Sequence, residues 1–358
     1  MIDGLELALE AWAAEGAREL VPALEQLLGG AGGRVLAAER LPRNRVLRVR
    51  VELDGCVRGV LVKRFPPERA HRERAAIERW LPQVGLEAQG PPLLGTVADR
   101  TGRCTWFVYE DLGNCTLAEH ASDPERVRAA ALLLAELHAR FSEHPLLGEV
   151  RCLGADLGIA FYTASVRDAA RALAALFAKA PLGSEPRALC MRLIERLSDL
   201  RAEQAERTAA IEAWGGPETL LHGDPWTTNM LVRPADEGFE ARLIDWDHAG
   251  VGPASYDLSA FLLRFPPEAR DAILSQYRQH RTLRTAGGWQ CPARAAWNAL
   301  FDTAELARLA NTVLWRTLAG LDGHLAWALS ELARLEEAFT ALAPVLPAEA
   351  SGEGPCAT

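Results

Sequence analysis

The chain has 358 residues and carries 39 Lys plus Arg against 48 Asp plus Glu, a formal net charge of −9 that disfavours a general nucleic-acid binder. A hydrophobic fraction of 49% and a charged fraction of 24% are ordinary for a soluble globular protein, and the length suffices for two lobes with separate cores. No apolar run approaches membrane-spanning length, Met1-Ile2-Asp3-Gly4-Leu5-Glu6 lacks a signal-peptide pattern, and seven cysteines without a CxxC spacing read as reduced thiols, so no membrane partner and a cytoplasmic location are expected.

Residues 3–28 read as a helical preamble, ended by Gly29-Gly30-Ala31-Gly32-Gly33. That glycine cluster lacks a strand–GxGxxG–helix context and reads as a linker, giving a first segment over 1–33. Residues 34–112 follow with strand patterns over 34–38, 46–53, 57–65, 93–98 and 104–110, and a helix over 68–81 after Pro66-Pro67. The turn between the first two strands, Leu41-Pro42-Arg43-Asn44-Arg45, contains no glycine. Either Asn44 and its arginine neighbours help to hold phosphates, or they are ordinary hairpin-turn residues.

Nearly every cation is written as arginine, and only Lys63 and Lys179 are lysines. Lys63 lies in the strand pattern Val60-Leu61-Val62-Lys63-Arg64-Phe65, where a compact ammonium suits phosphate oxygens better than a planar guanidinium. In the helix that follows, Ile77, Trp80 and Leu81 lie four, seven and eight positions after Glu73, on its own face. A carboxylate on the core stripe needs a partner, so Glu73 is expected to pair with Lys63, with Glu78 as the reserve.

Residues 113–345 turn mainly helical. A helix over 124–141 carries His138, read as a packed core histidine, and residues 164–213 read as a helical substrate-side insertion. Further helices are expected near 255–263, 267–280, 292–320 and 323–341, and residues 346–358 read as a disordered tail. Between the helical blocks lies His222-Gly223-Asp224-Pro225-Trp226-Thr227-Thr228-Asn229, then Leu243-Ile244-Asp245-Trp246-Asp247. Met230-Leu231-Val232 and Ala241-Arg242-Leu243-Ile244 are strand signals around the turn cluster 234–238, which predicts an antiparallel hairpin. Asn229 enters that hairpin and Asp245 leaves it, so their oxygens meet at one end, with Asp224 tethered five residues before Asn229. Hard oxygen ligands with room for phosphate oxygens suit magnesium.

The spacing His-x-Asp-x-x-x-x-Asn resembles the protein-kinase catalytic loop. With Lys63, Glu73, Tyr109-Glu110-Asp111-Leu112-Gly113, Leu134-Ala135-Glu136-Leu137-His138, Asp245-Trp246-Asp247 and Gly250-Val251-Gly252-Pro253 in order, the chain resembles the aminoglycoside phosphotransferase and choline kinase group of small-molecule kinases. The resemblance implies an α+β, protein-kinase-like two-lobe fold: an N-terminal antiparallel sheet with one helix, and a mainly helical C-terminal lobe carrying the catalytic hairpin. It implies ATP and Mg2+ as cofactors and transfer of the γ-phosphoryl group to a hydroxyl of a small molecule. Asp224 would orient that hydroxyl and take its proton. Asn229 and Asp245 would hold magnesium, and Lys63, braced by Glu73, would fix the α/β-phosphates. Glu110 to Leu112 would be the hinge whose backbone meets adenine. His222 would brace the loop, Asp247 would complete the metal shell or face the substrate, and Asp257 would cap or anchor its own helix. Gly223 in place of a kinase arginine, and Asp-Trp-Asp in place of Asp-Phe-Gly, argue for a small-molecule kinase without activation-loop control.

Asp302, Glu305, Trp289, Trp297 and Trp315 are the residues that would suit a cationic acceptor. Aminoglycoside, amino-sugar, choline-like and homoserine-like acceptors all stay open. A pseudokinase-like nucleotide-binding module without turnover is the alternative, favoured by the glycine-free loop. A metal-dependent hydrolase would leave Lys63 and Glu73 without a role, and no GxxxxGK[ST] motif supports a P-loop protein.

Overall fold

Strict alternation builds the first half of the molecule. In Val46–Leu53 the residues Leu47, Val49, Val51 and Leu53 are buried, while Arg48, Arg50 and Glu52 point to the other face. In this computed structural model, which describes residues 2–12, 19–29, 32–41, 46–180, 182–284 and 292–348, such runs form a six-stranded sheet. Its strands are β1 (Ile2–Asp3), β2 (Gly33–Arg40), β3 (Val46–Leu53), β4 (Cys56–Phe65), β5 (Leu93–Ala98) and β6 (Thr105–Glu110), in the order β1-β2-β3-β4-β6-β5. Only β1 and β2 run parallel; the other neighbours are antiparallel. The β3–β4 hairpin closes on Asp54-Gly55, both at positive φ, the backbone that a two-residue turn between twisted strands requires.

One face of the sheet packs Val49, Val51, Val60, Val62, Trp106 and Val108 against helices α1 (Leu5–Trp12) and α2 (Leu20–Leu27) through Leu5, Leu9, Trp12, Leu20 and Leu24. The expected preamble is thus the cover of the sheet, because two short amphipathic helices must bury their apolar stripes against something. Gly33 is likewise no linker residue. It starts β2, where a Cβ would lie 2.4 Å from a Leu53 methyl and 2.8 Å from the Glu52 carbonyl oxygen. The opposite face carries Phe65, Phe107 and Tyr109 under α3 (Pro67–Ala75), which continues through a π-helical turn Ala76–Trp80 into α4 (Leu81–Gln83).

Downstream lie α5 (Pro124–Arg140), α6 (Leu147–Leu153), α7 (Ile159–Lys179), α8 (Ser184–Ala202), α9 (Gln204–Trp214), β7 (Thr219–Leu221), the hairpin β8 (Met230–Pro234) and β9 (Phe239–Leu243), and β10 (Gly250–Gly252). The chain ends with α10 (Ser255–Leu262), α11 (Pro267–Arg284), α12 (Arg294–Leu321) and α13 (Leu325–Ala341). The molecule is α+β, and it divides into two compact units: Met1–Leu133 with Thr227–Ala249, and Leu134–Trp226 with Gly250–Thr358. The hairpin therefore groups with the sheet, whereas the sequence reading put it in the segment 113–345, apart from the sheet strands over 34–112. In the second unit Leu173, Leu193, Leu197, Leu306, Ala310 and Leu332 form the main core.

The start of the expected tail is fixed. Leu346 is buried and exchanges two hydrogen bonds with the Asn298 side-chain amide, at 2.9 and 3.0 Å, while Arg270 donates to the Val345 carbonyl at 2.9 Å. These side chains satisfy backbone groups that would otherwise hold the segment in water. Residues 349–358 lie outside the described residues, as does the turn 42–45 with Asn44. Among the described residues no helix is long and apolar enough to cross a membrane.

Because Leu24 is fully buried against the sheet, Leu24→Ala is expected to cost about 2–5 kcal/mol of stability in denaturant titration. A loss within experimental error would mean that α2 is not part of the sheet's core.

Candidate active site

Period-2 alternation puts Lys63 on the α3 face of the sheet, two residues before Phe65, whose ring centroid lies 4.5 Å from the ammonium. Its Nζ lies 2.6 Å from Asp245 Oδ1. The predicted partner Glu73 is on the expected buried face of α3, but the carboxylate accepts a 2.7 Å hydrogen bond from the Tyr109 hydroxyl. Lys63 therefore pairs with Asp245 in this structure, and Glu73 is held by Tyr109. Burial pushes the Glu73 carboxyl up to about 7; the Lys63 charge opposes that rise and the Asp245 charge adds to it. Glu78 is half-exposed and lies 3.7 Å from Arg74, a solvated pair rather than a reserve partner.

The hairpin behaves as its sequence predicts. Met230 faces Leu243 in register, and the Ile244 N–H donates to the Asn229 carbonyl at 3.0 Å. Asn229 and Asp245 thus leave the same end of the hairpin. Asp245 itself has φ +69° and ψ +62°, the left-handed conformation that short polar side chains tolerate and that concentrates at functional sites. Two residues later Asp247 is buried. Its Oδ2 accepts from Arg69 at 2.9 Å, and its carbonyl accepts from Arg72 at 2.6 Å. Burial, then the Asp245 charge, push its carboxyl up. Asp247 is therefore an anchor for α3, a use that neither sequence alternative named.

The hinge stretch is half open. The Glu110 N–H donates to Pro92 and that of Asp111 to Gly59, both at 3.0 Å, while the Leu112 N–H makes no hydrogen bond among the described residues. On the Lys63 face, a groove of about 410 Å³ is bordered by Ala37, Arg48, Arg50, Asp111 and Asn114, with Arg48 Nε 3.0 Å from Asp111 Oδ2. Its volume falls in the range of small-ligand sites.

In the second unit, the loop that carries Asp224 is gripped from α10. Asp257 is fully buried and its carboxylate accepts the backbone N–H groups of His222 at 2.7 Å and Gly223 at 2.9 Å. It serves the loop, not its own helix. Burial pushes the Asp257 carboxyl up, but the His138 hydrogen bond and the backbone donors outweigh it, so the group stays below its ordinary value. His138 Nε2 lies 3.3 Å from Asp257 and Nδ1 lies 2.9 Å from the Tyr277 hydroxyl. Burial lowers the His138 pKa, against the Asp257 carboxylate, which raises it. Arg281 donates to the Tyr277 oxygen at 2.9 Å. His222 is also buried, and its Nδ1 accepts the Asp224 N–H at 3.4 Å.

Sequence reading missed Arg69, Arg72 and the Tyr277–Arg281 end of this relay. Arg69 had a signal, lying four residues before Glu73 on one helix face; the others are long-range partners with none. Among the acceptor candidates, Glu305 is ion-paired with Arg308, Trp297 is a buried ring stacked on Phe301, and Asp302 is half-buried. Trp315 is 60% exposed, and Trp289 lies outside the described residues.

Comparison with known proteins gives a family and a fold. The model of the phosphotransferase enzyme family APH matches residues 38–297. The fold is similar to a spectinomycin phosphotransferase solved with ADP and spectinomycin, at 11% identity, TM-score 0.56, over 92% of this chain and 95% of that one. It is also similar to a Plasmodium vivax ethanolamine kinase (13% identity, TM-score 0.55, 90% and 89% covered). A third likeness is to the macrolide 2'-phosphotransferase MphH from Brachybacterium faecium, solved as apoenzyme (18%, 0.52, 88% and 97%). Among curated proteins none matches the chain by sequence.

The raised Glu73 carboxyl makes a stability prediction. The folded state holds this proton to about 7, well above the ordinary value of 4.5, so its contribution is complete below 4.5 and is lost as pH rises through 7. Glu73→Gln should remove up to about 3 kcal/mol of the fall in stability between pH 4.5 and 8. Parallel stability–pH curves for the two proteins would overturn the assignment.

Proposed function

Because the chain belongs to the APH family of phosphotransferase enzymes and is a small-molecule kinase with a hydroxyl acceptor, we propose that it moves the γ-phosphoryl group of ATP to that acceptor, with magnesium as cofactor. The observation that carries this reading is the cluster at the open end of the β8–β9 hairpin, where Lys63 Nζ stands 2.6 Å from Asp245 Oδ1 and Asn229 leaves the same turn.

The donor set fits a hard divalent cation. Asn229 offers an amide oxygen and Asp245 a carboxylate, and the ammonium on Asp245 already occupies a cation position there. Magnesium, when bound, neutralises charge on the phosphate oxygens. Lys63 supplies a compact positive charge for the phosphates, and the buried Phe65 and Tyr109 beneath it keep water from one side. Glu73 is placed to receive the ammonium once Asp245 turns to its metal. Arg69 and Arg72 hold the Asp247 turn and so fix where Asp245 points.

Asp224 orients the acceptor hydroxyl and takes its proton as the oxygen attacks phosphorus. Its loop is rigid because Asp257 holds the two preceding N–H groups and His222 holds the Asp224 N–H. Phosphoryl transfer needs mainly positioning and charge neutralisation, so fixing the backbone of a single carboxylate is worth orders of magnitude in rate. The open Leu112 N–H and the groove along Arg48 and Asp111 support a nucleoside bound at the hinge.

Asp224→Asn should lower ADP release with hydroxylated amines, sugars and amino alcohols by about a thousandfold or more while MgATP binding persists. Lys63→Ala should chiefly impair productive nucleotide use. Unchanged acceptor-stimulated turnover in Asp224→Asn would refute the catalytic assignment, and tight MgATP binding without turnover in the wild type for any acceptor would favour a binding module.

A further inference from the structure

One helix and the turn that follows it both touch the loop that carries Asp224. Asp257, near the start of α10, holds the N–H groups of His222 and Gly223. Two residues past the end of that helix, Arg264 places its guanidinium 4.4 Å from the centroid of the Trp226 ring. The helix ends at Leu262, and the chain passes into a turn in which Leu263 donates to the Ser259 carbonyl and Arg264 to that of Phe261. Asp224 lies between the two grips, and the Trp226 N–H donates to the Asp224 carbonyl at 2.8 Å.

Arg126, Arg207, Arg308 and Arg316 also lie over aromatic rings and are each ion-paired with a carboxylate, whereas Arg187 over Phe177 has no such pair among the described residues. Among the described residues Arg264 has no such pair and no side-chain hydrogen bond. Stacking fixes a guanidinium by its face and leaves its edge, a fork of N–H donors, open to a planar or tetrahedral oxyanion. Trp226, 39% exposed, thus serves as the platform.

We propose that Arg264, seated on Trp226, is an oxyanion-binding residue beside Asp224. The anion is a phosphoryl group or a carboxylate on the acceptor. With the aromatic face already covered by a cation, this end of the loop disfavours a quaternary-ammonium or protonated-amine group. The inference rests on the role of Asp224 proposed above.

The test is titration of the full-length protein with inorganic phosphate and, separately, with malonate, followed by calorimetry in the wild type, Arg264→Met and Arg264→Lys. Binding of at least one anion should weaken tenfold or more in Arg264→Met and less in Arg264→Lys, with the melting temperature unchanged because Arg264 is exposed. An effect on phosphate alone identifies the phosphoryl group, and an effect on malonate identifies an acceptor carboxylate. No measurable binding of either anion by the wild type, or equal binding in Arg264→Met, would overturn the proposal. Turnover in Asp224→Asn reads separately on the catalytic assignment: if it persists, that assignment fails whatever the anions do.

Discussion

A single buried carboxylate fixes the loop that carries Asp224. Asp257 has no exposed surface, and an ion in that position is tolerable only when its lone pairs are filled. Two backbone N–H groups from the loop and one imidazole N–H from α5 fill them. The arrangement is reciprocal. The helix buries a charge that only the loop can satisfy, and the loop takes up the one conformation that satisfies it. The His138–Tyr277–Arg281 relay then fixes the orientation of the carboxylate from behind.

The first unit solves a different problem with the same means. There the charges are several and close: Lys63, Glu73, Asp245 and Asp247 all lie around one end of the hairpin and the inner face of α3. They coexist because each carboxylate has a different partner. Asp245 has the ammonium, the Asp247 carboxylate has Arg69, and Glu73 has the Tyr109 phenol. A helix that presents Arg69, Arg72 and Glu73 to the same region links the sheet to the Asp245–Asp247 turn.

Much of this was legible in the sequence where local periodicity decides. The strands over 46–53 and 93–98 fall where alternation puts them, and the hairpin turn at 234–238 delivers Asn229 and Asp245 to one end. The scarcity of lysine singled out Lys63 without any structure. What stayed hidden depends on tertiary choice. Glu73 was correctly turned inward by its helical phase, yet phase cannot say whether an ammonium or a phenol meets it. The first 28 residues read as a preamble because nothing in a short amphipathic helix names the sheet it will cover. Asp257 read as a helix cap because its true partners precede it by 34 and 35 residues, a separation with no local signature.

The near-absence of lysine has a chemical consequence of its own. Lys63 and Lys179 are the only side-chain amines, and they differ sharply in setting: Lys179 is exposed, whereas Lys63 is 16% exposed and held on Asp245. An acylating reagent needs a clear approach to the amine, and the contact with Asp245 obstructs it. Acylation should therefore proceed in two well-separated stages, a fast one at the surface and a slow one gated by opening of the Lys63–Asp245 contact. Acylation mapped to Lys63 becomes a clock for that opening, read on the unaltered protein and without a label of any kind placed in advance.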